Sequence, residues 1–141
     1  MSCARHVIFV ALFTATSVLA QGGGSQAPVN LKEAEAQGLQ RLSVEDLKAF
    51  IPGTHEVHGP TGKSTKYFKP DGSFERKGFK DFTGSWRFDE GKKGYCLDVY
   101  KKKGMEKTCF AVFRAREGSY YFDYDLENGF YSHTWTPAKA E

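Results

Sequence analysis

The chain has 141 residues, of which 40% are hydrophobic, 15% aromatic and 26% charged, and its formal net charge is +3. This length suits one domain and is too short for two. The 15 glycines have no fixed period, and the 12 Phe, 7 Tyr and 2 Trp are enough for a hydrophobic core. The composition therefore excludes a collagen, a coiled coil and a wholly disordered chain.

Residues 1–20 have the order of a secretory signal peptide. Arg5 provides a basic start, an apolar run follows over 7–13, and Val18-Leu19-Ala20 is an acceptable cleavage site. The run is too short to cross a bilayer comfortably, and no other stretch approaches a membrane span. We expect a mature protein that does not span a membrane and that is periplasmic or secreted.

A Gly-rich segment opens the mature chain, so residues 21–42 are predicted to be a flexible linker with a weak helix.

Residues 43–53 carry a stronger helical signal than the linker does. Ser43 is a suitable N-cap, acidic residues occupy the next turn, and Pro52-Gly53 stops the apolar face. The pattern predicts a short helix over 43–51.

From residue 54 onward, turn signals recur between short runs rich in Phe, Tyr, Trp, Thr and Val. This pattern predicts a mainly β fold, a small antiparallel meander or up-and-down barrel of about eight strands with one short N-terminal helix. The single β-rich domain spans 43–136, and 137–141 form a tail. The predicted strands lie near 54–58, 64–69, 73–79, 82–88, 94–100, 107–114, 119–125 and 129–135.

Two cysteines, Cys96 and Cys109, remain once cleavage of the signal peptide has removed Cys3. An even pair in an exported chain indicates a disulfide, and two buried free thiols are the alternative. A hairpin that pairs Cys96 with Cys109 also pairs Asp98 with Lys107, an opposite-charge pair on the same face. The cystine is therefore predicted on the outer, polar face of the sheet.

The alternation along the strands predicts that several aromatic side chains face the interior, while Asp123 and Asp125 face solvent. A small barrel is filled by such side chains, whereas a wider one uses them to line a pocket for an apolar ligand. The sequence leaves both alternatives open. The candidate ligand-binding residues are Trp86, Tyr95, Tyr120, Phe122 and Tyr124.

Three histidines, His55, His58 and His133, are the candidate metal ligands. His55 and His58 point to opposite faces of a straight strand, so they converge only if the following turn bends the chain. Partly exposed strand histidines are the alternative. The chain has no G-x-S-x-G, P-loop, H-E-x-x-H or EF-hand pattern, so we predict no enzyme and no cofactor.

The densest cationic feature, Lys101, Lys102, Lys103 and Lys107, lies at the predicted tip of a hairpin. One interpretation is contact with anionic lipopolysaccharide, a membrane surface or an acidic protein. The other is a tip that lysines keep soluble and protect from edge pairing. A nucleic-acid partner is not expected because of the export signal.

Several short motifs lie between Tyr67 and Tyr121. They include the Asp71-Gly72 turn, the Gly84-x-Trp86 strand and two cysteines on adjacent strands. This layout resembles small exported proteobacterial proteins of unknown function. The resemblance implies export, a disulfide and a small β-rich fold, and it carries over no catalytic or ligand-binding residue.

The sequence thus predicts an exported, non-enzymatic, barrel-like domain that binds a small apolar or amphipathic ligand or a cell-envelope partner. Two alternatives remain. The first is an inhibitor or interaction protein that acts through a loop, and the second is a histidine-based metal-binding protein.

Overall fold

A computed structural model describes residues 26–116, 118 and 120–136. The predicted signal peptide, the first residues of the linker and the tail lie outside the described residues. Within these described residues, two short helices and nine strands follow one another. They are α1 (Leu31–Ala36), β1 (Gln40–Arg41), α2 (Val44–Phe50), β2 (Gly53–Gly59), β3 (Gly62–Phe68), β4 (Ser73–Gly78), β5 (Phe82–Asp89), β6 (Gly94–Lys101), β7 (Gly104–Arg114), β8 (Tyr121–Asp125) and β9 (Tyr131–Thr136).

The strands β2 to β9 form a closed antiparallel barrel. Each strand pairs with the next along the chain, and β9 pairs back with β2 through Val57 and Trp135. The two-residue strand β1 adds to the end of β7. The prediction of a mainly β, up-and-down, eight-stranded barrel is confirmed. The segment predicted as a linker contributes α1, β1 and the buried side chain of Leu42.

Helix α2 closes one end of the barrel. Ser43 and Asp46 form a capping box at its start, which satisfies backbone donors that the first turn would otherwise leave unpaired. Its buried Leu47 and the following Ile51 belong to the same core cluster as the barrel interior. We call this the closed end, where the β3–β4, β5–β6 and β7–β8 connections also lie. The β2–β3, β4–β5, β6–β7 and β8–β9 connections surround the opposite, open end.

The barrel wall carries apolar clusters on both of its faces near β7 and β8. Phe110 and Val112 of β7 point into the interior cluster, whereas Ala111 and Phe113 belong to a second cluster on the outside. Helix α1 covers this outer patch with Ala34, which is fully buried. The wall between α1 and the interior is therefore buried from both sides.

The hairpin of β6 and β7 has the predicted register. Cys96 lies opposite Cys109 and forms a disulfide with it, and Asp98 lies opposite Lys107. Tyr95 and Leu97 alternate with the cystine and join the interior cluster, so the cystine is on the outer face. Among the described residues, no helix is long and apolar enough to cross a membrane.

Candidate functional site

A pocket of about 110 Å³ opens into the barrel from the open end. Its wall combines aromatic and aliphatic side chains with several charged ones. The lining residues are Lys66, Phe74, Arg76, Phe82, Leu97, Val99, Lys101, Glu106, Thr108, Phe110 and His133.

Strand register brings the charged lining residues to one level of the barrel. Lys66 of β3 lies opposite Arg76 of β4, which lies opposite Phe82 of β5. Paired residues share a face of an antiparallel sheet, so all three point inward. On the other side of the barrel, His133 of β9 lies opposite Asp123 of β8, at a register shift in that pair.

A network of polar side chains lies beneath the pocket. Asp123 and Lys66 are 0% and 1% exposed, and the Lys66 Nζ lies 3.8 Å from the Asp123 Oδ2. The Tyr95 hydroxyl donates a hydrogen bond of 2.6 Å to the same oxygen. The His133 Nδ1 lies 3.2 Å from the Asp123 Oδ1 and 3.3 Å from the Lys66 Nζ. The two buried charges thus compensate each other across the barrel.

Burial shifts the pKa of every member of this network. It lowers the pKa of Lys66 to about 8, although the charge of Asp123 acts in the opposite direction. Burial also lowers the pKa of His133, with help from the charge of Lys66. For Asp123, burial acts to raise the pKa. The positive charges of Lys66 and of His133 in its protonated, acidic form, together with the hydrogen bonds from His133 and Tyr95, outweigh burial and lower the pKa below its usual value.

The pKa of Tyr95 is raised by burial and by the nearby charge of Asp123. Near neutral pH, Lys66 is therefore protonated, Asp123 is ionised and Tyr95 remains a hydrogen-bond donor. His133 is neutral, since its pKa lies below the usual histidine value. A neutral Nδ1 either donates to Asp123 or accepts from Lys66, and it cannot do both.

Arg76 is the cation of the pocket that lacks a carboxylate partner among the described residues. Its Nε is buried and has no hydrogen-bond partner there, and burial lowers the pKa of the guanidinium. The guanidinium lies over the Phe82 ring, 5.4 Å from the centroid. At the mouth, by contrast, Lys101 is paired with Glu106 at 2.6 Å. Arg76 therefore offers unused donors to an anionic group.

The candidate aromatic residues divide between three environments. Trp86 and Tyr95 pack in the barrel interior, where the Trp86 Nε1 donates to the backbone oxygen of Lys69. Phe122 and Tyr124 lie in the outer cluster beneath α1, and Tyr120 is 41% exposed. None of the five lines the pocket.

The predicted orientation of β8 is wrong. Asp123, expected in solvent, is fully buried in the interior, and Phe122 and Tyr124 face outward. The physical reason is that α1 and the segment before it cover the outer wall, as the bond from the Tyr124 hydroxyl to the Pro28 oxygen shows. Apolar side chains are therefore buried outside the barrel on this strand.

The three candidate histidines do not converge on one point. His55 is buried near the closed end, with its Nε2 3.0 Å from the Ile51 oxygen, and His58 follows on the opposite face of β2. His133 lies in the pocket. Among the described residues, the one group of three potential metal ligands within reach of each other is Asp89, Cys96 and Cys109. The disulfide already occupies both of its sulfur atoms.

The four candidate lysines also have separate roles. Lys101 turns to the pocket mouth, whereas Lys102 and Lys103 are exposed at the hairpin turn. Lys107 is on the outer face opposite Asp98, whose ion pair of 3.3 Å is made with Arg87 instead.

Sequence reasoning missed Lys66, Arg76 and the inward position of Asp123. On β3, Lys66 and Phe68 share one face of the strand and Tyr67 lies on the other, so each face carries one aromatic residue and the sequence does not indicate which face is apolar. The available signal was the two-residue spacing from Lys66 to Phe68 and from Phe74 to Arg76, which places each cation on the face of a core Phe.

No protein family, curated protein or solved structure matches this chain.

Proposed function

We propose that this protein is an exported, non-enzymatic β-barrel that binds a small amphipathic ligand carrying an anionic group. The observation that carries this proposal is Arg76, a partly buried cation whose Nε has no partner within the described chain and which lines an apolar pocket. An unpaired buried polar group lowers stability, so its retention is expected where it serves a ligand.

The chemistry of the pocket lining supports a ligand with one carboxylate and a small apolar part. A carboxylate accepts two parallel hydrogen bonds from a guanidinium, and Arg76 is the lining cation without a carboxylate partner among the described residues. Phe74, Leu97 and Val99 supply the apolar surface for the rest of the molecule. An apolar protein cavity of about 150 Å³ holds benzene. The pocket of about 110 Å³ therefore suits a short acyl chain or a small ring.

Binding fits the site better than catalysis does. Lys66, Asp123 and His133 contact one another, and the Tyr95 hydroxyl is also bonded to Asp123. These groups stabilise charge within the barrel, whereas Arg76 has donors left for another molecule.

The location outside the cytoplasm rests on the leader-like residues 1–20 together with the Cys96–Cys109 disulfide. A disulfide is consistent with an oxidising compartment, where such bonds persist. Periplasmic and secreted locations share this property.

The test titrates the mature protein with benzoate and hexanoate, with benzyl alcohol and hexanol as uncharged analogues, and follows amide chemical shifts by NMR. We expect the acids to bind saturably and to shift resonances around the pocket. Arg76→Gln should weaken acid binding at least about tenfold, the usual effect of losing a hydrogen bond to a charged group.

Arg87→Gln is the matched control because Arg87 lies on the outer wall of the adjacent strand, and it should bind like the wild type. Equal affinity of acids and alcohols, or an Arg76→Gln variant that binds acids like the wild type, would refute the anion site. If neither probe binds and native mass spectrometry of protein from its own compartment shows no retained molecule, ligand binding itself is refuted.

A further inference from the structure

Large apolar side chains are exposed at two neighbouring hairpins of the open end. Phe79 in the β4–β5 connection is 59% exposed, and Tyr100 and Met105 beside the β6–β7 turn are 62% and 52% exposed. The two connections are adjacent, since the Lys101 Nζ lies over the Phe82 ring at 5.6 Å. We call the segments 77–80 and 100–105 the rim.

The rim is also basic. Lys77, Lys80, Lys102 and Lys103 are exposed in it, and the described residues place no acidic partner within ion-pair distance of any of them. The one acidic side chain nearest the turn, Glu106, is already neutralised by Lys101. Asp81, the acidic residue of the β4–β5 connection, accepts a hydrogen bond from the backbone N–H of Gly78. The rim therefore presents exposed apolar side chains together with an excess of positive charge.

We propose that the rim docks on the surface of a bilayer that contains anionic lipids, with the pocket mouth facing the lipid. Tyr and Phe side chains fit the boundary between head groups and acyl chains, and lysines are attracted to anionic head groups. This docking goes beyond the ligand binding proposed above and does not depend on it. An amphipathic ligand dissolved in the bilayer would, however, lie directly at the mouth.

The shape of the rim favours a bilayer over a folded acidic protein. Tyr100 and Met105 lie opposite each other on the outer face of the β6–β7 hairpin, and Phe79 lies in the β4–β5 connection, so the exposed apolar side chains are spread over two hairpin ends. Protein interfaces need close shape complementarity around a buried apolar centre. A deformable lipid surface accepts separate protruding side chains without that complementarity.

The experiment measures co-sedimentation of the mature protein with vesicles of phosphatidylcholine alone and of phosphatidylcholine with phosphatidylglycerol. We expect binding to the anionic vesicles and little to the neutral ones, with binding reduced as salt screens the lysines. No binding to anionic vesicles would overturn the proposal. Because the NMR titration uses soluble acids and no lipid, failure of docking and failure of ligand binding are observed separately.

Two pairs of variants locate the contact. Lys102→Glu with Lys103→Glu should lower the vesicle partition coefficient at least about tenfold, because each lysine near an anionic surface contributes substantially. The control, Lys92→Glu with Lys93→Glu, makes the same charge change in the exposed β5–β6 turn at the closed end and should have a much smaller effect. An equal loss in both pairs would show attraction through net charge alone and would overturn docking by the rim.

A further pair of variants tests the contribution of the exposed apolar side chains of the rim to vesicle binding. Tyr100→Ser should weaken binding to anionic vesicles several-fold, whereas Tyr120→Ser, a similar change at the closed end, should not. Far-UV circular dichroism confirms that each variant is folded before its vesicle binding is compared. An unchanged partition coefficient for Tyr100→Ser would reduce the interaction to charge and contradict the orientation.

Discussion

Replacement of Asp123 by Asn tests the charge network beneath the pocket. Asn keeps the size of the side chain and removes its charge, so the buried Lys66 loses the carboxylate that lies 3.8 Å from its Nζ. An uncompensated charge in a protein interior is strongly unfavourable, and the lysine then releases its proton. The variant should therefore be less stable than the wild type by an amount that depends on pH.

The magnitude follows from the pKa of Lys66, which is about 8 in the folded protein. Neutralising Lys66 at pH 7 costs about 1 kcal/mol, because pH 7 lies one unit below that pKa. Weakening the hydrogen bond from the Tyr95 hydroxyl to the carboxylate adds about 1–2 kcal/mol. The expected loss is therefore about 2–3 kcal/mol at pH 7, and it falls by about 1 kcal/mol at pH 9.5, where the wild-type Lys66 is already neutral.

The sign of the wild-type pH dependence follows from the same shift. The pKa of Lys66 is lower in the folded protein than the ordinary value of 10.5, so the unfolded chain binds more protons between about pH 8 and 10.5. The free energy of unfolding therefore rises with pH in that range as far as Lys66 is concerned. Lys66→Met should remove this contribution.

Urea denaturation followed by tryptophan fluorescence measures these free energies, since the buried Trp135 ring lies 5.1 Å from the Lys66 Nζ. Wild type, Asp123→Asn, Lys66→Met and the double variant are compared at pH 7 and 9.5 with the disulfide intact. In the Lys66→Met background, Asp123→Asn should cost the same at both pH values. A pH-independent cost in the wild-type background would refute the assigned coupling.

Three further stability predictions use the same denaturation assay. Replacing Cys96 and Cys109 together by Ala should cost about 3 kcal/mol, because their sequence separation of 13 closes a loop of moderate length in the unfolded chain; an unchanged midpoint would be contrary to this. Ser43→Ala should cost about 1 kcal/mol through the lost cap of α2, and a neutral effect would mean that the capping box does not stabilise the helix. Tyr95→Phe should cost about 1–3 kcal/mol by leaving the buried Asp123 carboxylate without its 2.6 Å donor, and a stabilised variant would contradict this role.

The β-hairpin part of the fold was accessible from the sequence because its information is local. The turn residues fix where β6 ends and β7 begins, and pairing Cys96 with Cys109 then determines every other pair in the hairpin. The structure has this register, and the same local reasoning identified the capped helix α2. In both cases the residues that specify the element lie within a short stretch of chain.

The orientation of β8 could not be obtained in this way. Phe122 and Tyr124 alternate with Asp123 as predicted, but periodicity shows only that two faces differ. Which face is inside depends on α1, about ninety residues earlier, which supplies a second apolar surface on the outer wall. The local sequence of the predicted linker gave only a weak helical signal. A six-residue helix such as α1 is stabilised mainly by tertiary packing, here that of Ala34, and the local sequence does not reveal this packing.

The charged residues whose inward position the sequence pattern did not predict are also those that form the candidate site. Charged side chains occupy the interior where the barrel pattern demands apolar ones, and such local conflicts are expected at functional positions. Lys66, Arg76 and Lys101 contribute three positive charges in and beneath the pocket, and Asp123 and Glu106 contribute two negative ones. The lowered pKa of His133 keeps that ring neutral near pH 7.

This leaves one positive charge to be matched, and it lies at Arg76. A ligand with a single negative charge would complete the compensation, whereas a neutral ligand would bury the guanidinium further without a partner. A dianion would in turn bring an excess negative charge against the apolar wall of Phe74 and Val99. For the ligand binding proposed above, we therefore expect the charge balance of the interior to favour monoanionic ligands over both neutral and doubly charged ones.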